Sequence, residues 1–403
     1  MIDILYEWLG YLARWGHIVA AITWIGTSFY FNWLDLSERP PKAKTLKPNV
    51  DGEVHEMHGG SFYYHERFWP TEDNPRTLAH SGPAQLTFLT GLFLVFYIYW
   101  LGADVYLLNP GKDGLSSWDA IGVSALVLVV PWLIYHELCK AVLNDKIVFC
   151  VMAVLVTVVS YLTLQVFSPR AAFVHVGAML GTIMAANVQY VIIPNHIKMR
   201  EQVKKSEPVN QEFHKVAKRR SQHNNYMTLP VLFSMISIHF PLATSNEWAL
   251  ITLLLMMASA FTVRHYRNIY LATDVKKPGL LALSFTLLAG GIAASSIPAK
   301  METQNLAALS ATEQQVFDIV QQRCSGCHAA QPIEEGYEAP PAGVRFETMA
   351  QMEAYKDQMY TQAIASDLMP PGNWTKITDT ERQVLGEWLV SVGAVAKIGV
   401  RKP

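Results

Sequence analysis

Leu280-Leu-Ala-Leu-Ser-Phe-Thr-Leu-Leu-Ala-Gly-Gly-Ile-Ala-Ala-Ser-Ser-Ile-Pro298-Ala-Lys300-Met-Glu302 is the stretch that decides the fold. Up to Ile297 it carries no charge and comes close to the length, about 20 apolar residues, that a helix needs to cross a hydrocarbon core. After Pro298 charge returns, and no further apolar run of that length follows. The chain therefore divides into a membrane part over 1–298, a linker over 299–308 and a soluble part over 309–403. Toward the N-terminus, seven more stretches qualify, at roughly 9–34, 80–101, 118–138, 146–167, 171–194, 226–242 and 247–264. The expected class is all-α, with an eight-helix transmembrane bundle followed by a small soluble domain.

Composition agrees. Of 403 residues, 51% are hydrophobic and 16% charged, against about a quarter charged in soluble domains. A net charge of −1 gives no basic field for nucleic acid. Asp3 and Glu7 precede the first base, Arg14, and no small-residue cleavage site follows, so the first apolar segment is expected to be a retained span rather than a secretory signal. Loops on one face carry twenty Lys and Arg, eight of them over 195–225, whereas the other face has only Arg14, Lys112 and Arg170. The positive-inside rule then places both termini on the periplasmic side of a multi-pass inner-membrane protein.

The motif with chemistry in it is Cys324-Ser-Gly-Cys327-His328, the C-x-x-C-H spacing in which two thiols form thioethers to haem vinyls and the histidine becomes the proximal ligand. Ser310-Ala-Thr-Glu313 and Thr378-Asp-Thr-Glu381 are capping boxes opening a helix on either side of the motif, the outline of a class I-like cytochrome c. Zinc would need more Cys or His, and no His follows His328. A soft sixth ligand is then a methionine. Met349, Met352 and Met359 have core spacing; Met369, before Pro370-Pro371-Gly372, stands in a loop that two prolines stiffen. Haem c is attached outside the cytoplasm, the side the charge count gives independently.

A tether needs one helix, so polar residues within the spans are candidates for function. His17, His175 and His239 lie in the outer third and are the candidate proton acceptors; two of them on facing helices are also a possible ligand pair for a haem b. His80, His136, His223 and His265 lie toward the inner ends, with Asn187, Asn224, Asn225 and Arg264. Trp24 and Thr27 sit at mid-depth. The run His55-Glu-Met-His58-Gly-Gly-Ser-Phe-Tyr-Tyr-His65 has no standard zinc spacing and reads as a structured loop. No G-x-G-x-x-G or Walker loop is present.

Several runs resemble a known family. Trp24-Ile-Gly-Thr-Ser-Phe-Tyr-Phe31, His58-Gly-Gly-Ser-Phe-Tyr63, Gly181-Thr-Ile-Met-Ala-Ala-Asn187, Ile192-Ile-Pro-Asn195, Arg220-Ser-Gln-His-Asn-Asn-Tyr-Met-Thr-Leu-Pro-Val-Leu-Phe233 and Val263-Arg-His-Tyr266 look like those of bacterial membrane-bound urate oxidases fused to cytochrome c. The resemblance extends to Met369-Pro-Pro-Gly-Asn373. The start of the second span, His80-Ser-Gly-Pro-Ala-Gln-Leu-Thr87, departs from it, with neither Lys nor Glu. The resemblance implies oxidation of urate to 5-hydroxyisourate, with electrons passing to the covalent haem and on to soluble cytochrome c or a terminal oxidase. It marks Asn187, Asn224, Arg264 and His265, with Trp24 and Thr27, as substrate-binding candidates beside the outer histidines. Two other classes fit the same layout, a quinol-oxidising respiratory cytochrome and a transporter carrying a redox sensor.

Overall fold

The structure is a computed structural model that describes residues 2–42, 45–74, 81–109 and 115–395; His80, Lys44, Arg76 and Lys112 lie outside them. Eight long helices precede Pro298 among these residues: α1 (Ile2–Ser37), α2 (Gly82–Trp100), α3 (Ser117–Ala141), α4 (Asp145–Val166), α5 (Pro169–Lys204), α6 (Gln211–Ile236), α7 (Ala249–Thr273) and α8 (Pro278–Ser295). Their starts are written locally. Ser116 and Asp119 form a capping box, the Asn144 and Asn210 side chains accept from Lys146 and Glu212 backbone N–H groups, and Ser168 caps a helix with proline in its first turn.

Six of the eight, α2, α3, α4, α5, α7 and α8, are long and apolar enough to cross a membrane. The expected first and sixth spans fall in α1 and α6 but do not reach that apolarity. Trp15, His17, Trp24, Tyr30 and Trp33 dilute α1. α6 stops at Ile236, and a single 3₁₀ turn, Ser237–His239, leads to Pro241, which disfavours helix at the residue before it. The basic segment expected as a loop over 195–225 is mostly helix, because α5 runs on to Lys204 and α6 begins at Gln211. An apolar run marks only the embedded part of a helix, not its polar ends.

α5 is the central element. It is buried along most of its first half, Pro169–Asn187, and packs against α2, α3, α4 and α6. α4 shows the inverted polarity of a lipid-facing helix: Val154, Val158, Tyr161 and Leu162 are exposed, while Ser160 and Thr163 are buried.

The all-α expectation needs one correction. Between α1 and α2 lies an antiparallel hairpin, β1 (Val50–His58) and β2 (Ser61–Phe68). Gly59 and Gly60 turn it at φ +58° and +81°, the backbone a two-residue turn of the primed type requires. Ion pairs fasten this base-rich end. Arg67 reaches Asp51 at 2.7 Å and Glu38 at 2.5 Å, Lys218 reaches Asp35 at 2.9 Å, and Arg39 reaches Asp274 at 2.8 Å.

At the other end sits the C-terminal unit, with α9 (Ala311–Arg323), α10 (Met349–Ala354) and α11 (Asp379–Ser391). α9 and α11 cross over a core of Val316, Phe317, Val320, Leu385, Trp388 and Leu389. Met352 and Met359 are buried in that core, and Met349 packs on it. Both expected capping boxes are formed. The unit rests on the helix ends: Gln358 Nε2 donates to Asp104 O at 2.9 Å. Gly343 (φ +76°) approaches so closely that a Cβ there would lie 3.3 Å from Pro169 Cγ.

Candidate functional site

In the C-terminal unit, α9 runs directly into Cys324, whose backbone N–H bonds to Val320 O at 2.9 Å. Neither motif cysteine forms a disulfide. The His328 ring nitrogen Nδ1 stands 3.0 Å from Val344 O. A histidine that donates from one nitrogen to a carbonyl keeps the other as a lone-pair donor, the arrangement found in metal-ligating histidines. Burial lowers the imidazole's proton affinity, with the Val344 hydrogen bond opposing. Phe346 packs against the ring at 5.0 Å between centroids. These residues fit a covalent haem with an imidazole ligand. Among the described residues no three His, Cys, Asp or Glu side chains cluster as a metal site. Met369 is held through its backbone. Its N–H donates to Gln362 O at 2.9 Å, and its carbonyl accepts from Arg382 at 3.1 Å.

The three outer histidines are not brought together. His17 Nδ1 is 3.0 Å from Thr90 Oγ1 on α2. His175 is fully buried, with Nε2 2.8 Å from Ser124 Oγ, Nδ1 2.7 Å from Ala171 O, and its ring 5.3 Å from that of Tyr99. His239 is exposed in the 3₁₀ turn. Among the described residues they share no hydrogen-bonding partner.

The inner set does converge, in two neighbouring groups. Asn187 Nδ2 donates to Tyr135 OH at 3.0 Å and to Asn224 Oδ1 at 2.9 Å. Tyr135 OH meets His223 Nδ1 at 2.9 Å, and His223 Nε2 meets Asp145 Oδ1 at 3.0 Å. A continuous path of donors and acceptors thus leads from a half-exposed carboxylate to a buried amide. In the second group Arg264 Nε and Asn268 Nδ2 donate to Asn225 Oδ1 at 2.8 and 2.9 Å, and the Arg264 guanidinium lies 4.1 Å from the Phe29 ring centroid. His265 is apart, 2.8 Å from Tyr226 OH. Among the described residues Thr27 bonds back to its own helix, at Thr23 O and Trp24 O, and Trp24 is half-buried.

Between the helix ends and the C-terminal unit lies a cleft of about 300 Å³. Its walls include Glu7 and Arg14 of α1, Tyr97 and Tyr99 of α2, Arg170 of α5, and Val344, whose carbonyl faces His328. A π-helical turn, Val95–Trp100, closes α2 and presents both tyrosines; such turns concentrate at functional sites. Sequence patterning did not single out this cleft. The one signal was that Arg14 and Arg170 are two of the three bases on the base-poor face.

A family model for the urate oxidase N-terminal region matches residues 3–295. The chain belongs to the urate oxidase N-terminal family. It is therefore a urate oxidase-like protein, and its six apolar helices are the make-up of a multi-pass membrane protein. The matched region ends where α8 ends, so the C-x-x-C-H unit lies beyond it. No curated protein and no solved structure matches the chain.

Proposed function

We propose that this protein oxidises urate to 5-hydroxyisourate in its membrane part and releases the electrons through a haem c held by Cys324, Cys327, His328 and Met369. The observation that carries the reading is the family match over 3–295 on the same chain as a docked C-x-x-C-H unit. The balance is simple: urate monoanion and one water give neutral 5-hydroxyisourate, one proton and two electrons. The haem, when bound, accepts one electron at a time, so each urate calls for two transfers, and soluble cytochrome c or a terminal oxidase takes the electrons onward.

The protein's own part is to bind and orient the heterocycle, since the anion is already electron-rich. All eight long helices cross the bilayer in this reading. α1 and α6 pack against α7 and each other, and Arg220, His223, Asn224 and Asn225 of α6 are buried. The base-rich end faces the cytoplasm and the C-terminal unit the periplasm. No fixed pair of facing histidines supports a haem b.

The test is anaerobic addition of urate to the purified, oxidised protein. The expected result is reduction of two haems per urate. A haem that urate leaves oxidised while a quinol reduces it would overturn the reading in favour of a respiratory carrier.

A further inference from the structure

We propose that the cleft between the helix ends and the C-terminal unit is the urate site, with Arg14 and Arg170 clamping the monoanion. The substrate class rests on the reading above; the place rests on the cleft itself.

Its volume, about 300 Å³, lies at the lower end of the range for small-molecule sites. Its charge is unusual. Arg14 and Arg170 both line it, and neither has a carboxylate or hydrogen-bonding partner among the described residues. A guanidinium is stabilised by an anion with which it can form paired hydrogen bonds. Glu7 is the acidic side chain in the lining. Two guanidinium groups and one carboxylate leave one positive charge, which matches a monoanion. Glu7 also supplies an acceptor for the N–H edge that a purine-like ring presents beside its carbonyls.

Shape agrees with charge. Tyr97 and Tyr99 add aromatic side chains to the lining. Gly10 makes room for Tyr97 and Arg14, because a Cβ there would lie 3.0 Å from Tyr97 Cε1 and 3.1 Å from Arg14 Nη1. The N-terminus of α5, opening at Pro169 and Arg170, adds the partial positive charge of the helix dipole, although Pro169 has no N–H and Ser168 caps that of Ala171. The opposite wall carries Val344, bonded to the His328 ring at 3.0 Å. Substrate in the cleft is thus one residue removed from the histidine of the C-x-x-C-H motif. The inner polar network has no such neighbour; its hydrogen bonds hold α3, α5 and α6 together.

Binding can be read without turnover by dialysing urate against dithionite-reduced protein, which cannot accept electrons from it. Arg14→Gln and Arg170→Gln should each weaken binding at least tenfold, with haem staining and helix content as in wild type. Arg14→Lys, which keeps the charge but not the paired donors, should lose less. If a Gln variant fails to fold, Gly10→Val carries the test, since it crowds Arg14 and Tyr97 without removing charge and should also weaken binding. Wild-type affinity in the folded Arg14→Gln/Arg170→Gln pair, or in Gly10→Val, overturns the site while leaving urate oxidation standing. A wild-type protein that neither binds urate nor is reduced by it overturns both.

Discussion

With its Nδ1 beside Val344 O and Phe346 against its face, the His328 ring has one orientation and one free nitrogen. Replacing Cys324 and Cys327 by Ala should therefore abolish haem staining on a denaturing gel, even with His328 in place; a persistent stain would count against thioether attachment. Met369→Ala should keep the stain but lower the reduction potential, because a thioether ligand favours the ferrous state; an unchanged potential would assign the sixth position elsewhere. The motif was legible because Cys324, Cys327 and His328 fall within five residues, and Met369 stood out by its proline neighbours. Single polar residues in spans were not legible in the same way. A sequence shows that Asn187 or His175 is there, but not that Asn187 finds Tyr135 while His175 finds Ser124. Arg14 and Arg170 come from distant helices, and no local pattern records that they face one cleft.

Among the elements, those with local start signals were the most legible. α9 and α11 begin at the two capping boxes read from four residues each. Helix ends in the membrane part were the least legible, since hydropathy fades at the bilayer surface while α5 and α6 continue through polar residues. The hairpin escaped notice because its two glycines sit in a run rich in histidine and tyrosine. α11 also carries a pH dependence. Arg323 pairs with Glu381 at 2.9 Å, and this hydrogen bond holds the Glu381 carboxyl below its ordinary value, with burial opposing. A lowered carboxylate contributes full stability above its unfolded value, about 4.3, and loses it as pH falls through the lower folded value. The thermal midpoint of the C-terminal unit should fall below about pH 4. Glu381→Gln should flatten that fall and cost about 1–2 kcal/mol at neutral pH; an unaltered pH profile would contradict the assignment.

For the molecule as a whole, the uneven distribution of Lys and Arg predicts orientation. A reporter inserted at Asn210 should be active only in a form that works in the cytoplasm, and one fused after Pro403 only in a form that works in the periplasm; the reverse pattern would invert the topology. The ion pairs of Arg67, Lys218 and Arg39 show the same asymmetry as packing: at the base-rich end Arg67 of the hairpin and Lys218 of α6 both reach Asp35 of α1, and Arg39 reaches Asp274 just past α7. The cleft at the other end has walls from both extremes of the chain, Glu7 to Arg14 on one side and Val344 on the other. During synthesis, the first of these walls is made and inserted long before the last leaves the ribosome. A nascent chain that stops after α8 therefore has the walls that carry Arg14 and Arg170 and still lacks the one that carries Val344.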